Sequence, residues 1–233
     1  MNGERKIVQG DTAELEAARQ DMVARQIRDR GIRDERVLNA MRTVPRHLFV
    51  PTELVSRAYS DEPLPIGDGQ TISQPFMVAA MAEALSLDGH ERVLEIGGGS
   101  GYQAAVLSQL AREVVAIEAR PALTAAARDR IDRLGYRNVD LKAGDGSGGW
   151  PPCAPYEAIL VTAAAPSVPE PLLDQLAEGG RLVIPVGHDE HQELLRLVKK
   201  DGRISRQSLY ACRFVPLVGR YGQRQDTREA NRE

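Results

Sequence analysis

Four glycines crowd into five positions of the stretch LEIGGGSGYQ, at 97, 98, 99 and 101, directly after the apolar run RVLEI. Glycine lacks a Cβ and adopts positive φ freely, so a turn of this composition lets backbone come close to a bound molecule. The spacing narrows which molecule. A dinucleotide fingerprint beginning at Gly97 needs glycine at 102, where Tyr102 stands, and a phosphate-cradling loop needs a Gly-Lys-Ser/Thr ending that is absent. What remains is Glu95 followed by G-x-G-x-G at Gly97, Gly99 and Gly101. A carboxylate beside a closely approaching backbone suits a charged amino-acid end better than a pyrophosphate.

Two further acids extend the pattern. Glu118 ends the apolar run EVVAI, where an acid hydrogen-bonds ribose hydroxyls in doubly wound folds. Asp145 lies in AGDGS, placed to accept from an adenine amino group, although a Gly-Asp-Gly stretch alone reads as a plain turn. Together the three sites describe a nucleoside without phosphates joined to an amino acid. S-adenosylmethionine meets that description.

These residues need a frame, and the chain supplies one. From Asp88 onward, short apolar runs alternate with helical patterns: RVLEIG, a helix over 102–111, EVVAIE, an Ala-rich helix over 121–134, NVDLKAGD, YEAILVTAAA, a helix at PEPLLDQL and GGRLVIPVG. Such alternation predicts an α/β, mostly parallel, doubly wound sheet covered by helices on both faces. ELLRLVKK and ISRQSLYAC flank Asp201-Gly202 and predict a closing C-terminal antiparallel hairpin. Ahead of this core, apolar residues at helical spacing from Asp21 to Met41, interrupted at Gly31, predict two short helices. VPRHLFVP reads as extended or turning, and PLPIGDGQ (63–70) as a loop. Ser73 is expected at the start of the helix SQPFMVAAMAEALSL, where it can cap, with Pro75 in the first turn. The expected organisation is a mobile arm over 1–17, one domain over 18–219 (a helical and loop cap at 18–87, a Rossmann-like core at 88–219) and a polar tail over 220–233.

At this point the chain resembles the protein-L-isoaspartate (D-aspartate) O-methyltransferase family. The resemblance spans about residues 20–218 and rests on VPRHLFVP, AYSDEPLPIGDGQTISQPFMVA, VLEIGGGSGYQAAVL, AGDGS, ILVTAAAP, GGRLVIPVG and RFVPL. It implies a Rossmann-like class I S-adenosylmethionine-dependent methyltransferase fold with an N-terminal helical extension. The activity it implies is methyl transfer to the free α-carboxylate of an L-isoaspartyl residue, with D-aspartyl residues as a further substrate. Damaged proteins and peptides are the implied partners, and S-adenosylhomocysteine the product. The methyl ester collapses to a succinimide, whose hydrolysis partly restores aspartate. By the same resemblance Ser73 is the catalytic position, Thr71 and Ile72 lie beside the cofactor, and Val215 and Pro216 bind substrate backbone. The expected cofactor set is Thr71, Ile72, Glu95, Gly97, Gly99, Ser100, Gly101, Glu118, Asp145 and Gly146. The chain departs from the family at Gly98, where relatives usually carry a small hydroxyl residue, and in its first 17 residues.

The chemistry agrees with these residue types. A sulfonium methyl is already activated, and a carboxylate with a pKa of about 4 is ionised at neutral pH, so neither a general base nor a metal is required. A neutral hydroxyl at Ser73 can donate to one carboxylate oxygen and leave the other free to attack. The net charge of −3 over 233 residues gives no case for a nucleic-acid or anionic-membrane partner. The loop TAAAP (162–166) lacks the side chains that hold an exocyclic amine. HDEH (188–191) reads as a solvated turn rather than a metal site. His47 and His90 carry no partner by spacing. Neither Ser100 nor Ser147 has the glycines of a hydrolase elbow. With no apolar leader, no spanning segment and two cysteines (Cys153 and Cys212) outside any metal or redox spacing, a reduced, cytoplasmic protein is expected; a monomer is the expected state, which these features do not themselves reveal. Two other readings stay open at this stage: a tailoring enzyme acting on ordinary Asp side chains, and a non-catalytic binding module.

Overall fold

The computed structural model describes residues 10–188 and 191–223. The core is a seven-stranded sheet built from β3 (Arg92–Ile96), β4 (Glu113–Glu118), β5 (Val139–Ala143), β6 (Tyr156–Val161), β7 (Leu176–His188), β8 (His191–Lys200) and β9 (Arg203–Cys212). Its spatial order is β5-β4-β3-β6-β7-β8-β9. The first five of these strands pair parallel, and β8 and β9 add antiparallel. Strands β3, β4 and β6 are buried almost throughout, as a parallel sheet covered on both faces requires. The strand order reverses between β3 and β6, and the crevice outside the carboxyl ends of the strands there is where open α/β sheets take their ligands.

Helix α4 (Tyr102–Ser108) follows the glycine turn, α5 (Pro121–Leu134) follows β4, and α6 (Glu170–Asp174) precedes β7. α5 has the bounds the sequence predicts, with Pro121 at its start and Gly135 at its left-handed C-cap. α4 stops three residues earlier than expected, at Ser108, where Gln109 and Leu110 tighten to three-residue bonds onto the Val106 and Leu107 carbonyls.

The cap differs more from expectation. Helix α1 (Ala13–Asp21) is capped by Thr12 and runs into a π-helical turn over Met22–Arg28 before α2 (Glu35–Thr43). Residues 13–17 are therefore helix rather than arm, and residues 1–9 lie outside the described residues. Asp11 anchors this start: its carboxylate pairs with the buried Arg19 guanidinium at 2.9 Å. Within VPRHLFVP, Arg46–Phe49 takes the turning alternative, as a 3-10 turn. The expected loop at 63–70 contains β1 (Leu64–Gly67), which pairs antiparallel with β2 (Gln70–Ile72). Helix α3 (Pro75–Leu85) has Gln74, not Ser73, at its N-cap, and no side chain caps it. The physical reason is Pro75: the residue before proline is driven to extended backbone, so Ser73 stands two residues outside the helix.

Two devices fasten the cap to the sheet. The Arg46 side chain is fully buried, donates through Nε to the Ala58 carbonyl at 2.8 Å, and stacks over the Tyr102 ring at 5.0 Å. Arg181 on β7 donates to the Leu85 and Ser86 carbonyls at the end of α3 and pairs with Glu91 at 2.8 Å. Glu91 also accepts from the backbone N–H groups of Asp88, Gly89 and His90. Burial alone disfavours its charge, but Arg181 and these N–H donors outweigh that and hold its pKa at about 2 against an ordinary 4.5. A depressed carboxyl pKa stabilises the fold above the unfolded value and loses that contribution as pH falls through the folded one. Glu91→Gln is expected to cost roughly 2–3 kcal/mol in denaturant unfolding at pH 7. The gap to the parent should close between pH 4.5 and about 2; a gap that stays constant across that window contradicts the linkage.

Candidate active site

The glycine turn is stitched into both neighbouring strands. The N–H groups of Gly97 and Gly98 both donate to the Ile117 carbonyl on β4, at 2.8 and 3.1 Å. Gly99 N–H donates to Glu118 Oε2 at 2.8 Å. From the β6 side, the Thr162 hydroxyl donates to the carbonyls of Gly97 (2.7 Å) and Ile96 (3.0 Å). Gly97 sits at φ +95°, and a Cβ there would lie 2.4 Å from Thr162 Oγ1, so glycine is demanded both by conformation and by space. Gly98 has no such positive φ.

Three adjoining cavities surround this turn. The widest, about 550 Å³, is lined by Gly97, Glu118, Asp145, Gly146 and the segment Pro216–Gly219. A narrow one of about 50 Å³ is lined by Thr71, Ile72, Ser73, Glu95, Ser100 and Glu118 among others. It shares Gly97 and Glu118 with the wide cavity. A third, about 330 Å³, shares Thr71, Ser73, Thr162 and Val215 with the narrow one and is closed by Met77, Cys212 and Phe214. Ser73 thus stands at the passage between the narrow and third cavities.

The acids occupy distinct roles. Glu118 is buried, with one carboxylate oxygen on Gly99 N–H and the other accepting from Arg120 N–H at 2.9 Å. Glu95 is fully buried and neither of its oxygens has a partner. Burial, with the Glu118 charge adding to it, pushes its carboxyl well above the usual range. An unpaired buried carboxylate beside a ligand cavity is what a cationic amino-acid end would complete, so the residues present fit S-adenosylmethionine. Asp145 is more exposed and caps the turn at Gly146 by accepting from Ser147 N–H. Burial opposes its ionisation, but the Arg220 N–H at 2.8 Å and Ser147 hold its pKa below the ordinary value.

That Arg220 contact revises the expected polar tail at its start. Tyr221 N–H donates to Ser147 Oγ at 3.0 Å and Gln223 N–H to the Leu217 carbonyl at 2.7 Å. Residues 220–223 are therefore built against the wide cavity's rim, and residues 224–233 lie outside the described residues. The two expected substrate-side residues are separated. Val215 lines the narrow and third cavities, whereas Pro216 lines the wide one. The Val215 carbonyl is already taken by Ala164 N–H at 2.8 Å.

Several contributors escape a reading of the sequence. Thr162 locks the turn, Leu217 to Gly219 wall the wide cavity, and Gln192 holds the segment before Val215. The Gln192 amide accepts from Phe214 N–H at 2.7 Å and donates to the Phe214 carbonyl at 3.1 Å. Only Thr162 left a local trace, as the polar residue closing an apolar strand. Asp189 and Glu190 of the HDEH turn lie outside the described residues, and no cluster of potential metal ligands occurs among those described. No helix among the described residues is long and apolar enough to cross a membrane.

Comparison with known proteins gives the same answer. Residues 17–222 match the family described as Protein-L-isoaspartate(D-aspartate) O-methyltransferase. A protein-L-isoaspartate O-methyltransferase of Methanoculleus marisnigri is 56% identical over 204 residues, covering 88% of this chain and 93% of that protein. A solved protein-L-isoaspartate O-methyltransferase superposes with a TM-score of 0.79 at 33% identity, covering 88% of this chain and 67% of the other. A structure from Plasmodium falciparum, described as a putative protein-L-isoaspartate O-methyltransferase in complex with S-adenosyl-L-homocysteine, gives 0.74 at 28% identity, covering 86% and 98%. With a family model matched over most of its length and a relative more than half identical over nearly all of it, the chain belongs to the protein-L-isoaspartate (D-aspartate) O-methyltransferase family.

Proposed function

We propose that this chain transfers a methyl group from S-adenosylmethionine to the free α-carboxylate of L-isoaspartyl residues in damaged proteins and peptides. The observation that carries this is the lining of the 330 Å³ cavity beyond Ser73. Among its described lining residues the ionisable ones are Cys212 and Arg213. Burial and the neighbouring Glu193 push the Cys212 thiol up to about 11, so it is protonated at neutral pH. A site without a general base suits an acceptor that is already an anion.

The cofactor supplies an electrophilic methyl on a sulfonium. The acceptor oxygen forms the new bond to carbon as the carbon–sulfur bond breaks, its electron pair passing to sulfur, and no proton moves. The protein's work is alignment and exclusion of water, which can supply on the order of 7–11 kcal/mol. Ser73 donates to one carboxylate oxygen and leaves the other to attack; its freedom from capping α3 supports that role. Glu118 holds the ribose hydroxyls, Asp145 and Gly146 the adenine edge, and Glu95 the amino-acid end. Thr71, Ile72, Ser100 and the glycines 97, 99 and 101 shape the passage between them. Val215 bounds the substrate. The ester then closes to a succinimide, which begins repair. The free thiols of Cys153 and Cys212 support a reducing, cytoplasmic setting.

The direct experiment assays one synthetic peptide in its isoaspartyl and aspartyl forms. Methylation of the isoaspartyl form is expected; preference for the aspartyl form would reject the repair reading in favour of a tailoring enzyme. Ser73→Ala should lower kcat by about 10- to 150-fold, one hydrogen bond to a charged group, with cofactor affinity nearly unchanged. Equal losses in both would assign Ser73 to cofactor binding instead. Glu118→Ala should weaken S-adenosylhomocysteine binding by about 1.5–3 kcal/mol in calorimetry; undiminished affinity contradicts the ribose assignment. Gln192→Ala should raise the peptide KM roughly tenfold and leave the cofactor KM in place. A parallel rise in both constants would show that Gln192 supports the fold alone.

A further inference from the structure

Gln103 stands out in the narrow cavity. It is the second residue of α4, 7% exposed, and its amide nitrogen has no hydrogen-bond partner. Its helix neighbours Ala104, Ala105, Val106 and Leu107 are apolar and fully buried. A polar side chain in such a place, buried and unpaired, works against the fold unless something else completes it. The cavity it lines is also lined by Glu95, whose two carboxylate oxygens are unpaired. The pair is therefore one unused donor and one unused carboxylate, on two residues that line the same small cavity. An α-amino acid end carries the complement on a single carbon: an ammonium for the carboxylate and a carboxylate for the donor. Glu95 alone cannot serve both, because it repels a ligand carboxylate.

We propose that Gln103 is a cofactor-binding residue whose side-chain N–H donates to the α-carboxylate of the cofactor's amino-acid end, opposite Glu95 at the ammonium. This rests on the placement of that end in the narrow cavity. The division of labour also gives the glycine turn a selectivity: nucleosides lacking the amino acid gain nothing from either side chain.

Calorimetry on the full chain with three probes tests it: S-adenosylhomocysteine, its decarboxylated analogue S-adenosyl-3-thiopropylamine, and 5′-methylthioadenosine, which lacks the whole amino-acid end. Gln103→Met keeps the side-chain volume and removes the donor. It should weaken S-adenosylhomocysteine about ten- to a hundredfold and leave the other two within about twofold. Gln103→Glu, the second variant, should weaken S-adenosylhomocysteine further and spare the decarboxylated analogue, a reversal that a damaged fold would not produce. Unchanged S-adenosylhomocysteine affinity, or equal weakening of all three probes, would overturn the proposal. Weakening of both amine-bearing probes together would also overturn it, by moving Gln103 to the ammonium. If the parent protein binds 5′-methylthioadenosine as tightly as S-adenosylhomocysteine, the placement of the amino-acid end fails independently of Gln103.

Discussion

The close passage of the Gly97 backbone against Thr162 is the contact on which the rest of the site depends. One hydroxyl at the end of β6 holds the last two carbonyls of the β3 exit, while β4 takes the N–H groups of Gly97 and Gly98 from the other side. The turn is thereby clamped at the point where the strand order reverses, and it presents backbone rather than side chains to a ligand. Glu118 is fixed by the same act, since its carboxylate completes the turn at Gly99. The wide and narrow cavities are the two sides of this one clamp.

A cofactor site alone does not choose an acceptor; in the proposed reading the cap does. Proline at 75 starts α3 one residue late, and the hydroxyl of Ser73 is left at the passage rather than spent on a helix end. The position of that helix is in turn set by Arg181 and Glu91 at its far end, and by Arg46 packed over Tyr102 behind the turn. A buried ion pair contributes little net stability but is costly to break. Here the pair ties the end of α3 to β7.

Much of this was legible in residue order because the signals are local. Parallel strands buried on both faces announce themselves as apolar runs, and Glu118 is conspicuous as an acid closing one. The motifs around Ser73 and RFVPL named the family through resemblance, not through periodicity. What stays hidden is of three kinds. Short elements lack a period to read: β1 and β2 are four and three residues long, so the hairpin looked like a loop. Long-range pairings leave no trace in spacing: Arg220 meets Asp145 and Gln192 meets Phe214 only after folding. Gln103 was hidden for a third reason, since a single polar residue on a helix reads as surface until its burial is known.

A crystal structure of the chain with S-adenosylhomocysteine and an isoaspartyl peptide bound would show where nucleoside and acceptor lie. The nucleoside is expected over the Gly97–Gly101 turn in the wide cavity and the isoaspartyl carboxylate beside the Ser73 hydroxyl, with no titratable side chain in hydrogen-bonding reach. A nucleoside lodged away from that turn, or a carboxylate met by a basic side chain in place of Ser73, would contradict it.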